Sequence, residues 1–478
     1  MAKKQTLFQH IWPRRISKRS AYELRRLDDV EFKKLKSATA KRSRKGSASS
    51  STPAKKVARN LEIKRRHHLR RRYSRAMLLA KPKPNDILDA LLDNRKSRWL
   101  RFNRRKHGVR IECRQFSFID NPEETFRTLR KIAEADCNAI DYEVNFEDEH
   151  VLDIAPFLVF GMMVEGMAPM TGGGTVFGPT RKVLEAVGLR EFLNIKPFGR
   201  MRMDDVWPLP LMQRRRAGTS KSRKIAIEPT TLEIRADQIT KKINEWLGEL
   251  GSPKELTDHG RGRLKSIVTE TLNNAERHGR DGGDGEWIVA GFMARQPYGA
   301  NTGSANNSHV CHLSFLNLGN SIAHTISGAP EDTLDQIDRY CKLHKKIGRR
   351  ETTLATVFAL QDGVSRLRQG ADGVSGGTGL MDMVEFANEL GRETSPGLGP
   401  HVAILSGDAY VKFEAPFNEG FGSSESERRL QWFNEGNVVS KPPNDRFVRD
   451  LPGYFPGTLI TMRFILDASI QAASKKDG

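Results

Sequence analysis

Glu270 and Asn274 stand four residues apart in the stretch KELTDHGRGRLKSIVTETLNNAERHG, where Leu264, Ile267, Val268, Thr271, Leu272 and Ala275 recur at three- and four-residue spacing. That period predicts an amphipathic helix. On such a helix residues i and i+4 leave from one face, about one turn apart. A carboxylate stacked on a carboxamide suits nucleotide chemistry. The amide oxygen can hold a hydrated Mg²⁺, and the carboxylate can orient or deprotonate water. Taken alone, the pair describes a solvated glutamate and a helix-ending asparagine equally well.

Two downstream stretches bear on that choice. The segment from His309 to Ile322, HVCHLSFLNLGNSI, reads as a strand running into a turn at Asn317, Gly319 and Ser321. Later, Gly376-Gly377-Thr378-Gly379-Leu380 opens a helical pattern that continues to Leu390, and Gly457 to Leu466 reads as a closing strand. The pattern E-x-x-x-N-A-x-x-H-G followed by these two glycine turns resembles the Bergerat-fold (GHKL) ATPases, the group that holds DNA gyrase, mismatch-repair ATPases, heat-shock chaperones, sensor histidine kinases and anti-sigma serine kinases. The resemblance implies ATP with Mg²⁺ as cofactors, Glu270 as the general base, and Asn274 as the metal ligand. It also implies a nucleotide pocket holding His278, Asn317, Gly319, Ser321, Gly376, Gly377, Thr378, Gly379 and Leu380. The group's usual adenine-binding Asp is Asn317 here. A neutral acceptor is expected to hold adenine less tightly, by ~1 kcal/mol. Ser321 stands where a second glycine is usual. No His-Glu/Asp-x-x-Pro phosphoacceptor helix precedes the domain, so the anti-sigma serine kinases are the nearer likeness.

Charge divides the chain. Residues 1–110 hold 35 Lys and Arg against 8 Asp and Glu, a net of +27, so the remainder carries −6 of the total +21. The tract KSATAKRSRKGSASSSTPAKK cannot bury enough apolar surface to offset the entropy of ordering it, and disorder is expected there. Between Val57 and Gly108 the basic residues turn helical, with Tyr73, Trp99 and Phe102 interleaved. Cations beside aromatic rings suit phosphate contact and base stacking, so non-specific nucleic acid is an expected partner of residues 1–108. A solubilising tail or a surface for an acidic protein is the alternative.

Cys113, Cys137, Cys311 and Cys341 form no C-x-x-C pair, which excludes a zinc or disulfide framework as the organising principle and points to a reducing, cytoplasmic setting. No apolar run reaches the ~20 residues of a membrane helix, so no membrane partner is expected. The first residues lack the apolar centre of a secretory signal. They are acid-poor and Arg/Ser-bearing, which leaves a transit peptide as the alternative.

Residues 109–199 alternate strand and helix: strands over 109–118 and 139–146, helices over 121–137, 154–167 and 180–192, and a turn at Gly172-Gly-Gly-Thr175. This order resembles a STAS domain, the fold of anti-anti-sigma factors. The family's phosphorylatable Ser would fall at Asp153-Ile154-Ala155-Pro156, where no hydroxyl is present. The resemblance therefore implies a docking or autoregulatory platform.

The expected organisation is a basic tail (1–108), a STAS-like α/β domain (109–199), a linker (200–224) and a GHKL nucleotide-binding domain (225–470), in all an α/β or α+β sandwich chain. The expected function is an ATP-binding regulator whose lid closes on nucleotide and controls a protein or nucleic-acid partner, with ATPase or serine/threonine kinase activity. The alternative is a non-enzymatic nucleic-acid-associated scaffold on a degenerate ATPase fold.

Overall fold

The computed structural model describes residues 5–6, 80–101, 104–168, 171–195, 197–214, 231–250, 254–279, 285–297, 307–364, 379–391, 399–417, 421–422 and 429–466. The fold is α+β, with one largely parallel and one antiparallel sheet.

The first sheet has the order β1 (Gln5–Thr6), β4 (Thr171–Val176), β3 (Ala139–Phe146), β2 (Lys106–Cys113). β2, β3 and β4 run parallel and β1 pairs antiparallel. The parallel crossovers are made by α3 (Pro122–Asn138) and α4 (Ala155–Gly166). Helices α1 (Asp86–Leu91) and α2 (Arg95–Arg98) precede β2, and α5 (Gly178–Ala186) and α6 (Leu189–Phe192) follow β4. The helix expected over 180–192 breaks in two at Gly188, whose φ of 84° no other residue adopts cheaply. The turn expected at 172–175 is instead strand β4. A Cβ on Gly174 would sit 1.7 Å from the Val144 carbonyl oxygen, so these glycines let two strands approach closely.

The second sheet has the order β5 (Val206–Arg214), β6 (Glu286–Pro297), β7 (Asn307–Leu318), β11 (Val448–Leu466), β8 (His401–Phe413), antiparallel throughout. β5 corrects the expected linker at 200–224. Its Pro208 and Pro210 disguise a strand, but an edge strand needs half as many backbone donors and tolerates them. Helices α7 (Leu232–Gly248) and α8 (Asp258–His278) precede β6. After β7 come α9 (Ile322–Ile326), α10 (Glu331–His344), α11 (Glu351–Ala359) and α12 (Gly379–Leu390). Two short strands, β9 (Phe421–Gly422) and β10 (Arg429–Leu430), pair between β8 and β11.

Both faces of this second sheet are buried. From β6, Trp287, Val289 and Met293 join the core under α7 and α8, while Ile288, Ala290, Phe292 and Ala294 join the core of the N-terminal unit. A strand covered twice has no polar face, which explains its near-continuous apolar sequence. The seam between the units is also polar. Asp153 is fully buried and accepts hydrogen bonds from Phe118 N, Ala155 N and Thr461 Oγ1 at 2.8, 3.0 and 2.7 Å. Arg463 forks onto both oxygens of Asp120 at 2.7 and 2.8 Å.

The expected tail boundary also moves. Ile87, Leu88, Leu91 and Leu92 are core residues, and Arg95 is buried with Nη2 on Asp136 at 3.1 Å. Trp99 lies under Arg105, packs half-buried against the core and donates to the Ala80 carbonyl. Tyr73 and Phe102 lie outside the described residues. No helix among the described residues is long and apolar enough to cross a membrane.

Candidate functional site

Thr257 caps α8 by accepting from Gly260 N at 3.1 Å. The buried side of the helix, Leu264, Ile267, Val268 and Leu272, packs with Ile239, Ile243 and Trp246 of α7. That packing fixes the helix's rotation and brings Glu270, Thr271 and Asn274 to the wall of a cavity of about 230 Å³. Asn317 and Asn320, at and just beyond the end of β7, line it too, as do Ile322, Thr325 and Ile326 at α9 and Leu360 and Val364 beyond α11. Its remaining lining is mainly apolar, with Trp287, Phe315, Leu316, Ile404 and Ile460.

The last turn of α8 is pinned from three directions. Asn317 Nδ2 donates to the Ala275 carbonyl at 2.8 Å, and Asn320 N donates to the Gly279 carbonyl at 2.7 Å. Glu276 accepts from Trp287 Nε1 at 2.8 Å and pairs with Arg214 of β5. Gly279 is required where it stands, because a Cβ there would lie 2.5 Å from Ala275 O and 2.6 Å from Asn317 Nδ2. The N-A-x-x-H-G pattern thus describes a helix end pressed onto the end of a strand.

Thr458 of β11 sits directly opposite Asn317 in the ladder and also lines the cavity. Its hydroxyl shares a hydrogen bond with Ser406 at 2.8 Å. Neither Thr458 nor Asn320 belongs to the expected site. Period-two reading of Gly457 to Leu466 would have placed Thr458 and Ile460 on one face.

Other expected site residues fall differently. Ser321 is not among the lining residues: it caps α9, its hydroxyl accepting from His324 N at 3.2 Å. A serine suits that place because the helix start needs a side-chain acceptor. Gly319 bends the chain with a φ of 137° after β7, also outside the lining. His278 ends α8, and the backbone of Gly379 and Leu380 opens α12. Gly376, Gly377 and Thr378 lie outside the described residues.

Arg429 joins the chain beyond α11 to α12. Its Nε donates to Asp362 Oδ2 and its Nη1 to Asp382 Oδ1, both at 2.7 Å, with Glu385 2.9 Å away. Burial opposes its charge, but these three carboxylates outweigh burial and hold the guanidinium above its usual pKa. Arg263 of α8 donates to Glu385 at 2.9 Å, so α12 is tied to the helix that carries Asn274.

No group of three or more His, Cys, Asp or Glu suited to a metal occurs among the described residues. Mg²⁺ in nucleotide sites uses few protein ligands and keeps waters and phosphate oxygens. An exposed Asn274 beside the cavity fits that donor set. No family model, curated protein or solved structure matches the chain.

Proposed function

We propose that the chain is a nucleotide-binding regulator of the GHKL type, with the cavity as its purine site. One observation carries this reading: Glu270 and Asn274, singled out by type and spacing, and Asn317, which the resemblance adds, line the same cavity. About 230 Å³ falls below the ~300–1,000 Å³ of sites that enclose whole drug-sized ligands. It suits the flat base end of a nucleotide. Asn317 commits Nδ2 to Ala275 and keeps Oδ1 as an acceptor for an amino group, beside the Thr458 hydroxyl. Asn274 would hold Mg²⁺, which supplies charge neutralisation to the phosphates when bound. Glu270, one turn away, would orient water or an acceptor hydroxyl for ATPase or serine/threonine kinase chemistry. The N-terminal unit, read as STAS-like, would be the module that senses the nucleotide site and presents the chain to a protein or nucleic-acid partner in the cytoplasm.

Ser321, committed as a helix cap, favours a second reading, a non-enzymatic nucleic-acid-associated scaffold on a degenerate ATPase fold. Thermal melting with ATP, with and without Mg²⁺, separates the two. On the first reading Mg-ATP raises the Tm, Asn274→Ala abolishes the Mg²⁺-dependent part, and Glu270→Ala keeps the shift but loses turnover. A Tm unmoved by saturating Mg-ATP would leave the scaffold.

A further inference from the structure

Four of the six exposed large hydrophobic residues among the described residues gather at one place far from any charged-tail segment in sequence. Leu343 and Ile347, 56% and 39% exposed, stand at the end of α10 and in the 3₁₀ turn Lys345–Ile347. Val438 and Val439, 39% and 45% exposed, stand in the loop before β11. His344, between the first two, is bonded at 2.9 Å to the Val439 carbonyl, which brings the two segments together. Beneath them Tyr340 packs on His344 and Trp432 with centroids 4.7 and 5.1 Å apart, so the patch is held on a rigid base.

Cations surround these side chains. Residues 342–350, KLHKKIGRR, contain five Lys and Arg and no acid. Lys342 pairs with Asp338, Arg349 with Asp445 and Arg350 with Asp408. Lys345 and Lys346 are exposed and have no acidic partner among the described residues. From the loop, Lys441 stands 4.0 Å from Glu435.

We propose that this patch docks on an anionic lipid surface, the aliphatic side chains entering the headgroup boundary and the lysines meeting lipid phosphates. The combination decides the partner. A second copy docking by two-fold symmetry would bring the same lysines face to face, a like-charge contact. A nucleic acid would use the lysines but has no use for four exposed aliphatics, which cannot stack on bases. An anionic bilayer uses both, since peripheral binding rests on apolar burial plus attraction of basic side chains. The expectation of no membrane partner rested on the lack of a spanning segment, which a surface contact does not need.

The test is a solvatochromic dye on Ile347→Cys in the full chain, whose four native cysteines are buried. A second label at Gln238→Cys, exposed on α7, is the reference. Melting curves confirm that both labelled proteins are folded. Vesicles of phosphatidylcholine with phosphatidylglycerol should shift the 347 dye to the blue. Phosphatidylcholine alone should not, and the 238 dye should stay in water. Lys345→Glu with Lys346→Glu should weaken the partition roughly fivefold or more per charge. If the protein sediments with anionic vesicles while position 347 stays in water, the basic N-terminal residues are the anchor and the proposal fails. It fails equally if a single-stranded oligonucleotide shifts the 347 dye as far as lipid does, or if position 347 is shielded by dimerisation without lipid.

Discussion

Asn317 ties the end of β7 to the last turn of α8 through one side-chain amide. Its position reads as a weakened adenine acceptor when only the sequence is considered, so Asn317→Asp would be expected to tighten ATP binding by ~1 kcal/mol. The geometry adds a cost in stability to that change. Nδ2 holds the Ala275 carbonyl, and an aspartate would set a carboxylate oxygen against that carbonyl, 2.8 Å from it, loosening the helix end. Asn317→Asp is therefore expected to cost about 1–3 kcal/mol of stability in urea unfolding. A variant as stable as the parent would show that the amide's tie to Ala275 is dispensable. His312, at the seam, carries a second residue-scale expectation. It is fully buried on Phe292, neither ring nitrogen has a hydrogen-bond partner among the described residues, and burial, with help from Arg463 and against Asp120, lowers its pKa to about 3. In the unfolded chain the imidazole titrates near 6.5, so below that pH the unfolded state binds a proton that the folded state refuses. Stability from this group is whole above pH 6.5 and is lost as pH falls toward 3, about 2 kcal/mol of it by pH 5. Asp153 works in the opposite sense, because burial raises its pKa and its folded form gains a proton as pH falls. His312→Leu isolates the histidine: its urea midpoint should fall less between pH 7 and pH 5 than the parent's. Equal falls would mean that His312 is not held neutral.

At the level of elements, helices and strands with strong periodicity were legible and the joints were not. The strand expected over 139–146 is β3, and the helix expected around Glu270 is α8. β5 hid behind two prolines, and β4 behind three glycines, because propensity penalises residues that edge position and close strand approach require. β8 is absent from the expected elements, although HVAILSGDAYVKF is apolar enough to be a doubly covered strand. Asp153 is buried within the chain, its carboxylate accepting a hydrogen bond from Thr461 of β11. Of the cavity's lining, Glu270 and Asn274 are legible from helix period, and Asn317 only through the GHKL resemblance. Thr458 and Asn320 depend on which strands become neighbours, and that is decided by tertiary packing. The Asp153–Thr461 joint gives an element-scale expectation. Thr461→Val removes one of three donors from a buried carboxylate and the partner of Ser314, whose hydroxyl lies 2.7 Å away. It should cost about 1–3 kcal/mol, read as a lower urea midpoint. A change below ~0.5 kcal/mol would mean that the seam tolerates an unmet acceptor.

On the scale of the molecule, charge and fold separate at a different residue from the one that composition suggests. Residues 1–79 hold 25 Lys and Arg against 5 Asp and Glu, a net of +20, so nearly all of the chain's +21 lies ahead of Ala80. From Asp86 onward the chain is already core: α1 contributes Ile87, Leu88 and Leu91, and Arg95 joins Asp136, Lys83 O and Gly166 O. Deleting residues 1–108 would remove those side chains together with three residues of β2, opening a cavity against α3, α4 and β11 and stranding Asp136 without its guanidinium. The expected product is insoluble or melts far below the parent, since an orphaned buried charge alone costs ~3–5 kcal/mol. Deleting residues 1–79 removes the two-residue β1 and leaves the rest of both sheets intact, and should keep a cooperative melt. If nucleic acid is held by the basic region, this shorter deletion must abolish binding and its salt dependence together, because a bound chain that neutralises Z phosphates loses affinity with a log–log slope of ~0.7–0.9 Z. Filter binding of a single-stranded oligonucleotide across a salt series measures both. A protein from Ala80 onward that keeps the parent's affinity and slope would move the interface onto the folded units, and the tail would be left without that role.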